Sequence, residues 1–314
     1  MIKTINRSPN FVRYACFVLA YVVGVILWGA IVRATGSGAG CGNHWPACNG
    51  EFIPRAENIE TLIEFSHRLT SSISGVLIII LLIWAYRLNP ARRFVRLMAI
   101  LSFIFVVVEG GIGAALVRLE LVENNASGLR AMVIALHLVN TLVLLTWLTL
   151  TAWGANVKQS IRLIAPTTVR IAVGVALFGV SIMSAAGAVT ALGDTLFLSG
   201  VIGSNDAGAE HFLISLRAWH PYLGAGVSGY LFLMGYWILK SYKQSQIKRQ
   251  AIWIVGFLAL QGGVGILNIF LKAPVWMQVI HLFLADTIWI LLILLSAKLM
   301  IIKSSIKPKA GHAT

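Results

Sequence analysis

The amino-acid sequence predicts an all-α integral membrane protein in which eight transmembrane helices form two pseudo-symmetric four-helix bundles, with both termini cytoplasmic. Composition is the first reason: 58% of the 314 residues are apolar and only 11% are charged, with a mean hydropathy of +0.84. A soluble domain is about 45–50% apolar and about 25% charged, so a water-soluble globular protein is excluded. The second reason is a series of eight long apolar runs, and the third is that the second half repeats motifs of the first.

Each apolar run is close to the roughly 20 residues that an α-helix needs to cross a bilayer. The first run is too long, and lacks the small-residue cleavage site, to be a simple signal peptide. The eight predicted helices cover residues 11–32, 62–86, 95–117, 131–153, 167–190, 212–239, 250–271 and 275–301.

The distribution of Lys and Arg predicts the orientation of these helices. The chain carries 25 Lys and Arg against 11 Asp and Glu, a net charge of +14, which in a soluble protein would suggest a nucleic-acid partner. Here 18 of the 25 basic residues, and none of the acids, lie in the segments on one side of the membrane. Since cytoplasmic loops are enriched in Lys and Arg, we expect no nucleic-acid partner. We expect a multi-pass protein of the cell inner membrane with its first outer loop on the periplasmic side.

Internal repeats divide the chain into two units of four helices, residues 1–157 and 158–314. Because four is an even number, both units enter the membrane in the same orientation, and an axis along the membrane normal should relate them. The matched segments are 64–80 with 217–233, 109–113 with 261–265, and 135–145 with 279–289.

Four histidines, His67, His137, His220 and His281, lie at a similar depth near the outer ends of the even-numbered helices. Two His residues on facing helices can ligate one haem iron from both sides, so the expected pairs are His67 with His137 and His220 with His281. The alternative is four polar residues hydrogen-bonded inside a bundle. Ionisable residues inside membranes indicate function by default, and the duplicated arrangement favours haem. A bare metal ion is disfavoured because Cys and carboxylate ligands do not cluster here.

The two halves differ three residues before their first histidine, where Glu64 in one half corresponds to Arg217 in the other. A carboxylate beside a haem edge can move protons or stabilise a developing cation, whereas Arg suits haem propionates. We therefore expect chemistry in the first half and a permanent electron-transfer haem in the second. The alternative is that Glu64 is an exposed interfacial carboxylate paired with Arg68.

Two further acids lie within predicted helices. Glu109 corresponds to Gln261, and could relay protons or pair with Arg118 or Arg130. We expect Asp286, which has no counterpart, to make a structural polar contact.

Glycines recur in both halves near these acids, and they favour close helix packing. Room for a flat macrocycle is a compatible alternative. The positions are Gly110, Gly111, Gly113, Gly262, Gly263 and Gly265.

The first outer loop contains Cys41 and Cys48, separated by a short segment with Gly and Pro that permits a turn. On an oxidising side of the membrane these cysteines suit a disulfide. It could be a structural staple or a dithiol–disulfide redox relay. A Cys/His/Cys metal site using His44 is a weaker alternative, and Cys16 in the first helix is expected to serve packing.

Together these motifs resemble the haem A synthase family over about residues 10–300. The resemblance implies two pseudo-symmetric four-helix bundles and an oxidoreductase acting on CH groups. Its reaction would convert the C8 methyl group of haem O to a formyl group through a hydroxymethyl intermediate, supplying haem A to terminal oxidases. The motifs are TGSGAGCGNHWPACNG at 35–50, Glu64-Phe65-Ser66-His67-Arg68, and the later His137, His220 and His281.

The resemblance also implies roles for individual residues. His220 and His281 would bind a resident haem b, His67 and His137 would flank the substrate haem O, and Glu64 would be the catalytic carboxylate. Arg68 and Arg217 are candidate propionate or charge partners, and Cys41 and Cys48 match the family's first-loop pair. Expected partners are membrane lipid, haem O synthase, terminal oxidase assembly factors, an unidentified electron acceptor and a second copy of the chain.

Other functions explain less of the sequence. A dihaem b-type electron carrier accounts for four histidines but not for the contrast between Glu64 and Arg217. A haem transporter would release haem without oxidising it. A prenyltransferase that makes haem O would need Asp-rich diphosphate sites with Mg²⁺, and the chain has only Asp194, Asp206 and Asp286.

Overall fold

A computed structural model describes residues 8–55, 58–88, 92–157, 165–203 and 212–301. The basic residues Lys3, Arg7, Lys158 and Arg162, those beyond residue 301, and Asp206 lie outside these ranges. The described chain is helical: α1 Pro9–Ala34, α2 Ile59–Arg87, α3 Arg93–Arg118, α4 Gly128–Asn156, α5 Thr167–Leu198, α6 Phe212–Ser241, α7 Ser245–Phe270 and α8 Val275–Ile301. A single 3₁₀ turn, Ser37–Ala39, lies in the first loop.

These eight helices are each long and apolar enough to cross a membrane, and the chain is a multi-pass membrane protein. Every helix also exposes large apolar side chains, such as Phe178 on α5 and Leu233 on α6. A soluble monomer rarely exposes apolar patches of that extent, whereas lipid would cover them. The predicted helices are therefore confirmed in number and kind for the described residues.

The largest difference from the predicted ends is in α5, which continues to Leu198 rather than residue 190. Its last turns hold the polar residues Asp194 and Thr195, which a hydropathy pattern takes as the end of a span. Both have partners: Asp194 lies against Arg217 of α6, and Thr195 accepts a hydrogen bond from Arg33 of α1. These contacts allow the helix to extend with polar groups in its final turns.

Helix contacts define two rings. In the first ring α1, α2, α3 and α4 each contact the next and α4 closes on α1; in the second, α5 to α8 do the same. Contacts between the rings come from α1 and α4 against α5 and α8. The buried apolar core is continuous through both, and includes Phe11, Leu145 and Leu292.

Polar contacts also join the rings. Arg33 near the end of α1 donates hydrogen bonds to the Ala191 carbonyl (2.6 Å) on α5 and to Gln278 Oε1 (2.7 Å) on α8. Buried Trp289 of α8 donates to the Leu142 carbonyl (2.7 Å) on α4. The ends of α1 and α5 and the start of α8 therefore meet at one end of the molecule.

Candidate functional site

The four histidines lie at this same end, six to nine residues after the first residue of their helices. At 1.5 Å per residue this places them roughly 9–14 Å along each helix. His67 lies within electrostatic range of His137, and His281 lies within electrostatic range of His220. The structure thus brings together the histidines expected to act as pairs, one pair in each ring.

All four imidazole rings are half-buried; the Nδ1 atoms of His67, His220 and His281 are buried without a hydrogen-bond partner, whereas that of His137 lies 3.3 Å from Glu109 Oε1. A buried polar atom without a partner costs free energy, which makes three such atoms an unfavourable arrangement for a purely structural role. Polar contacts within the bundle occur at two of the four rings, His137 against Glu109 and His281 against Gln261, so the alternative of hydrogen-bonded structural histidines is met only in part. Imidazole is a donor that suits iron, so the set fits a haem ligand set chemically.

One glycine in each ring lies against the first histidine of the pair, and neither was predicted from the sequence. A Cβ atom added at Gly29 of α1 would lie 2.9 Å from His67 Cε1, and one added at Gly187 of α5 would lie 3.0 Å from His220 Cε1. Both glycines precede alanine, as Gly29-Ala30 and Gly187-Ala188. That shared dipeptide is the signal that could have identified them as a further repeat.

We expect Gly29→Ala to displace the His67 ring and weaken any ligand that the ring holds. Overpacking of this kind costs about 1–3 kcal/mol, which corresponds to about 5- to 150-fold in affinity. Titration of haem into the purified protein, followed by absorbance, would measure it. Gly24→Ala is the matched control, because a Cβ added there meets nothing within 4 Å; equal affinities of the two variants would contradict the expectation.

Five of the six glycines that recur in both halves face open space. A Cβ added at Gly110, Gly111 or Gly113 on α3, or at Gly262 or Gly263 on α7, meets nothing within 4 Å. The helix-packing interpretation is wrong at these five positions, because a closely packed neighbour would lie within that distance. Only Gly265 of the six lies against a described side chain, 3.2 Å from His281 Cε1. At these five positions α3 and α7 therefore present backbone with open space beside it.

Glu64 is buried, with 3% of its surface exposed. Its Oε2 accepts a hydrogen bond from the Cys41 backbone N–H (2.8 Å), and its Oε1 forms an ion pair with Arg68 one turn later. The interpretation of Glu64 as an exposed interfacial carboxylate is therefore wrong, although its pairing with Arg68 is present. Both oxygens of the carboxylate are held in place.

Arg68 links this carboxylate to the first loop. Its Nη1 donates to the carbonyls of His44 (2.7 Å) and Ala47 (2.8 Å), both between the two loop cysteines. In this structure its donors are thus engaged by protein acceptors.

Arg217, at the matching position, has a different partner. Its Nε lies 2.8 Å from Asp194 Oδ1, and its side chain is 40% exposed. Asp194 lies beyond the predicted end of its helix, so its contact with Arg217 was not expected from the sequence. The two halves therefore carry opposite charges at corresponding positions, where Glu64 is buried and Arg217 is partly exposed.

Glu109 does not pair with Arg118 or Arg130, and that expectation is wrong. Arg118 donates to the Trp45 carbonyl and Arg130 to the carbonyls of Glu123 and Asn125. The Glu109 carboxylate instead lies on α3 with its Oε1 3.3 Å from His137 Nδ1.

The Nε2 atom of Gln261, the counterpart of Glu109, lies 3.1 Å from the Nε2 atom of His281. The third helix of each ring therefore places a polar side chain against the histidine of the fourth. The partner is a carboxylate in one ring and an amide in the other.

Asp286 is 1% exposed, and neither of its carboxylate oxygens has a hydrogen-bond partner among the described residues. The expected structural polar contact is therefore wrong.

Cys41 and Cys48 form a disulfide, and both are buried. They are thus unavailable as thiolate ligands, and no group of three or more His, Cys, Asp or Glu residues suited to a metal ion occurs in the described ranges. The Cys/His/Cys site with His44 is therefore wrong. Cys16 is free and exposed on α1 rather than packed in the core.

We expect the double variant Cys41→Ser/Cys48→Ser to lower the free energy of unfolding by about 2–3 kcal/mol, because the closed loop is short. Thermal unfolding of the detergent-solubilised chain would measure the change. Cys16→Ser is the control, since that thiol has no disulfide partner. Equal stability of the two variants would contradict a role as a structural staple.

Comparison with known proteins identifies relatives of the whole arrangement. A family model described as COX15-CtaA, cytochrome oxidase assembly protein, matches residues 12–293. A Thermus thermophilus protein named protoheme IX farnesyltransferase is 42% identical over 297 residues, 92% of this chain and 49% of the relative. Heme A synthases of Bacillus mycoides and Bacillus cereus are 50% identical over 93 residues, 30% of each chain.

The chain spans about half the length of the Thermus relative. The family match covers both rings and all four histidines, and it confirms the resemblance noted in the sequence. The chain belongs to the COX15-CtaA family of cytochrome oxidase assembly proteins.

Proposed function

We propose that this chain is a haem A synthase, an oxidoreductase that converts the C8 methyl group of haem O to a formyl group. The observation that carries the proposal is a histidine pair in each ring, with a buried, doubly held carboxylate, Glu64, three residues before the first histidine of only one pair. Family membership and the names of the Bacillus relatives support it.

The name of the Thermus relative raises a competing activity, farnesyl transfer. That relative is about twice as long as the part matched here, so its named activity need not lie in the matched part. Diphosphate chemistry with Mg²⁺ relies on carboxylate oxygens, and the sequence contains only three Asp residues. Of these, Asp194 lies against Arg217 and Asp286 is buried. We therefore assign farnesyl transfer to the remainder of the relative.

The two histidine pairs take different haems in this proposal. His220 and His281 hold a resident haem b, which supplies one-electron redox chemistry when bound. His67 and His137 hold the substrate haem O. The half-buried imidazoles of both residues and the open space beside Gly110, Gly111 and Gly113 support a planar iron-bearing ligand there.

Glu64 has the task of stabilising positive charge that develops on the substrate. Oxidising the methyl carbon to a hydroxymethyl group takes up one water and releases two electrons and two protons; oxidation to the formyl group releases two more of each. A carboxylate fixed by the Cys41 N–H and Arg68 is already oriented, so it loses little free energy in reorganising as charge develops. Water then adds to the cationic carbon, and an unidentified acceptor takes the electrons.

The cellular setting follows from the same assignment. We propose that residues 1–157 and 158–314 form two pseudo-symmetric bundles in the cell inner membrane, with cytoplasmic termini and haem sites towards the periplasm. Partners would be haem O synthase and terminal oxidase assembly factors, together with a second copy of the chain.

Expression of the chain together with a haem O supply tests the proposal. Haem extraction and chromatography should recover haem A or its hydroxymethyl precursor. Two bis-His haems with matched spectra and unchanged haem O would instead favour the dihaem electron carrier, and release of unmodified haem would favour a transporter. Labelled water should deliver its oxygen to the formyl group; label from dioxygen would reject the water-addition step.

A further inference from the structure

The Glu109 carboxylate is held on both oxygens. The Thr141 hydroxyl donates to Oε1, which also lies 3.3 Å from His137 Nδ1. The Asn140 side chain donates to Oε2 (2.5 Å) and to the Phe105 carbonyl (3.1 Å). Two donors from α4 thus fix an α3 carboxylate against the histidine that precedes them on the same helix. The carboxylate is 20% exposed, so solvent screens its charge only in part.

The second ring lacks this arrangement. In the matched segments 135–145 and 279–289, Asn140 and Thr141 correspond to Leu284 and Ala285, neither of which has a side-chain donor. The acid itself corresponds to Gln261, whose amide carries no charge. The carboxylate and both of its donors therefore occur together in the first ring only. The other histidine of that ring, His67, also lies within range of the Glu109 charge.

We propose that Glu109 is a positioning residue for His137 that lowers the midpoint potential of the haem held in the first ring. This inference rests on the proposed function, because it requires His137 to be a haem ligand. A carboxylate beside the outer nitrogen of a ligating imidazole fixes the ring and raises its basicity. A more basic ligand and a nearby negative charge both stabilise ferric over ferrous iron, and hydrogen bonding around the ligands sets haem potentials.

Glu109→Gln tests the charge with little change of shape. Spectroelectrochemical titration of the full chain loaded with haem should show an upward shift of the first-ring potential and an unchanged second-ring potential. The His220→Ala variant assigns the first-ring signal. Glu109→Asp keeps the charge and should therefore keep the first-ring potential near that of the original chain. If Glu109 had a purely structural role, the potentials of the Glu109→Gln and Glu109→Asp variants would not differ according to their charge.

Gln261→Glu provides a second route should Glu109→Gln fail to fold. It adds a charge beside His281 and should lower the second-ring potential only. Two bound haems whose potentials are unmoved by Glu109→Gln, or are shifted equally, would overturn this inference and leave the proposed function intact. A chain that binds haem only in the second ring would overturn both.

Discussion

Glu64→Gln is expected to slow the conversion of haem O by about 10²–10³-fold while both haems remain bound. The substitution removes the negative charge of a buried carboxylate but keeps a side chain of the same size, able to accept from the Cys41 N–H. Loss of one preorganised electrostatic group costs about 10²–10³-fold in rate. The rate of haem A formation, measured by chromatography against the haem content of the same sample, would report the loss.

Glu60→Gln is the matched control. Glu60 lies one turn before Glu64 on α2 and undergoes the same change of charge, but it is exposed. We expect this variant to keep the original rate. A Glu64→Gln variant that converts haem O normally would remove the carboxylate from the mechanism, and a parallel loss of haem would assign it a structural role instead.

The arrangement of helices was predictable because membrane spans leave a strong pattern in composition. Apolar length identified all eight helices, since each needs about 20 apolar residues whatever its neighbours are. The end of α5 was not predictable in this way. Asp194 and Thr195 lie in the last turns of α5 because Arg217 and Arg33, on other helices, contact their side chains. Hydropathy along one segment carries no information about such partners.

The residues of the candidate site show the same difference between local properties, which the sequence predicts, and contacts between helices, which it does not. Depth and duplication were enough to predict the four histidines as a set, because position along a helix is a local property. The partner of Glu109 was not predicted, because several residues were plausible partners by their distance along the sequence. The packing of α3 against α4 places His137, and not Arg118 or Arg130, against the carboxylate. Gly29 was missed because its role is an absence of atoms beside His67, a contact between two helices.

Removing ligands one ring at a time should separate the two haem sites. We expect His281→Ala to lose the resident haem, so that the haem content falls from about two per chain to about one, because a six-coordinate haem needs both axial ligands. His137→Ala should instead lose the haem of the first ring and retain the resident one. Pyridine haemochrome analysis of the purified variants would count the haems and identify their type.

The control is His44→Ala, which removes an imidazole from the exposed first loop. It should leave both haems in place, because His44 enters the Arg68 network through its backbone carbonyl and not its side chain. Loss of both haems from either single-ring variant would mean that the rings do not bind haem independently. That coupling would have to pass through α1 and α4 against α5 and α8, where Arg33 and Trp289 join the rings. Retention of both haems in His281→Ala would instead exclude this histidine as a ligand.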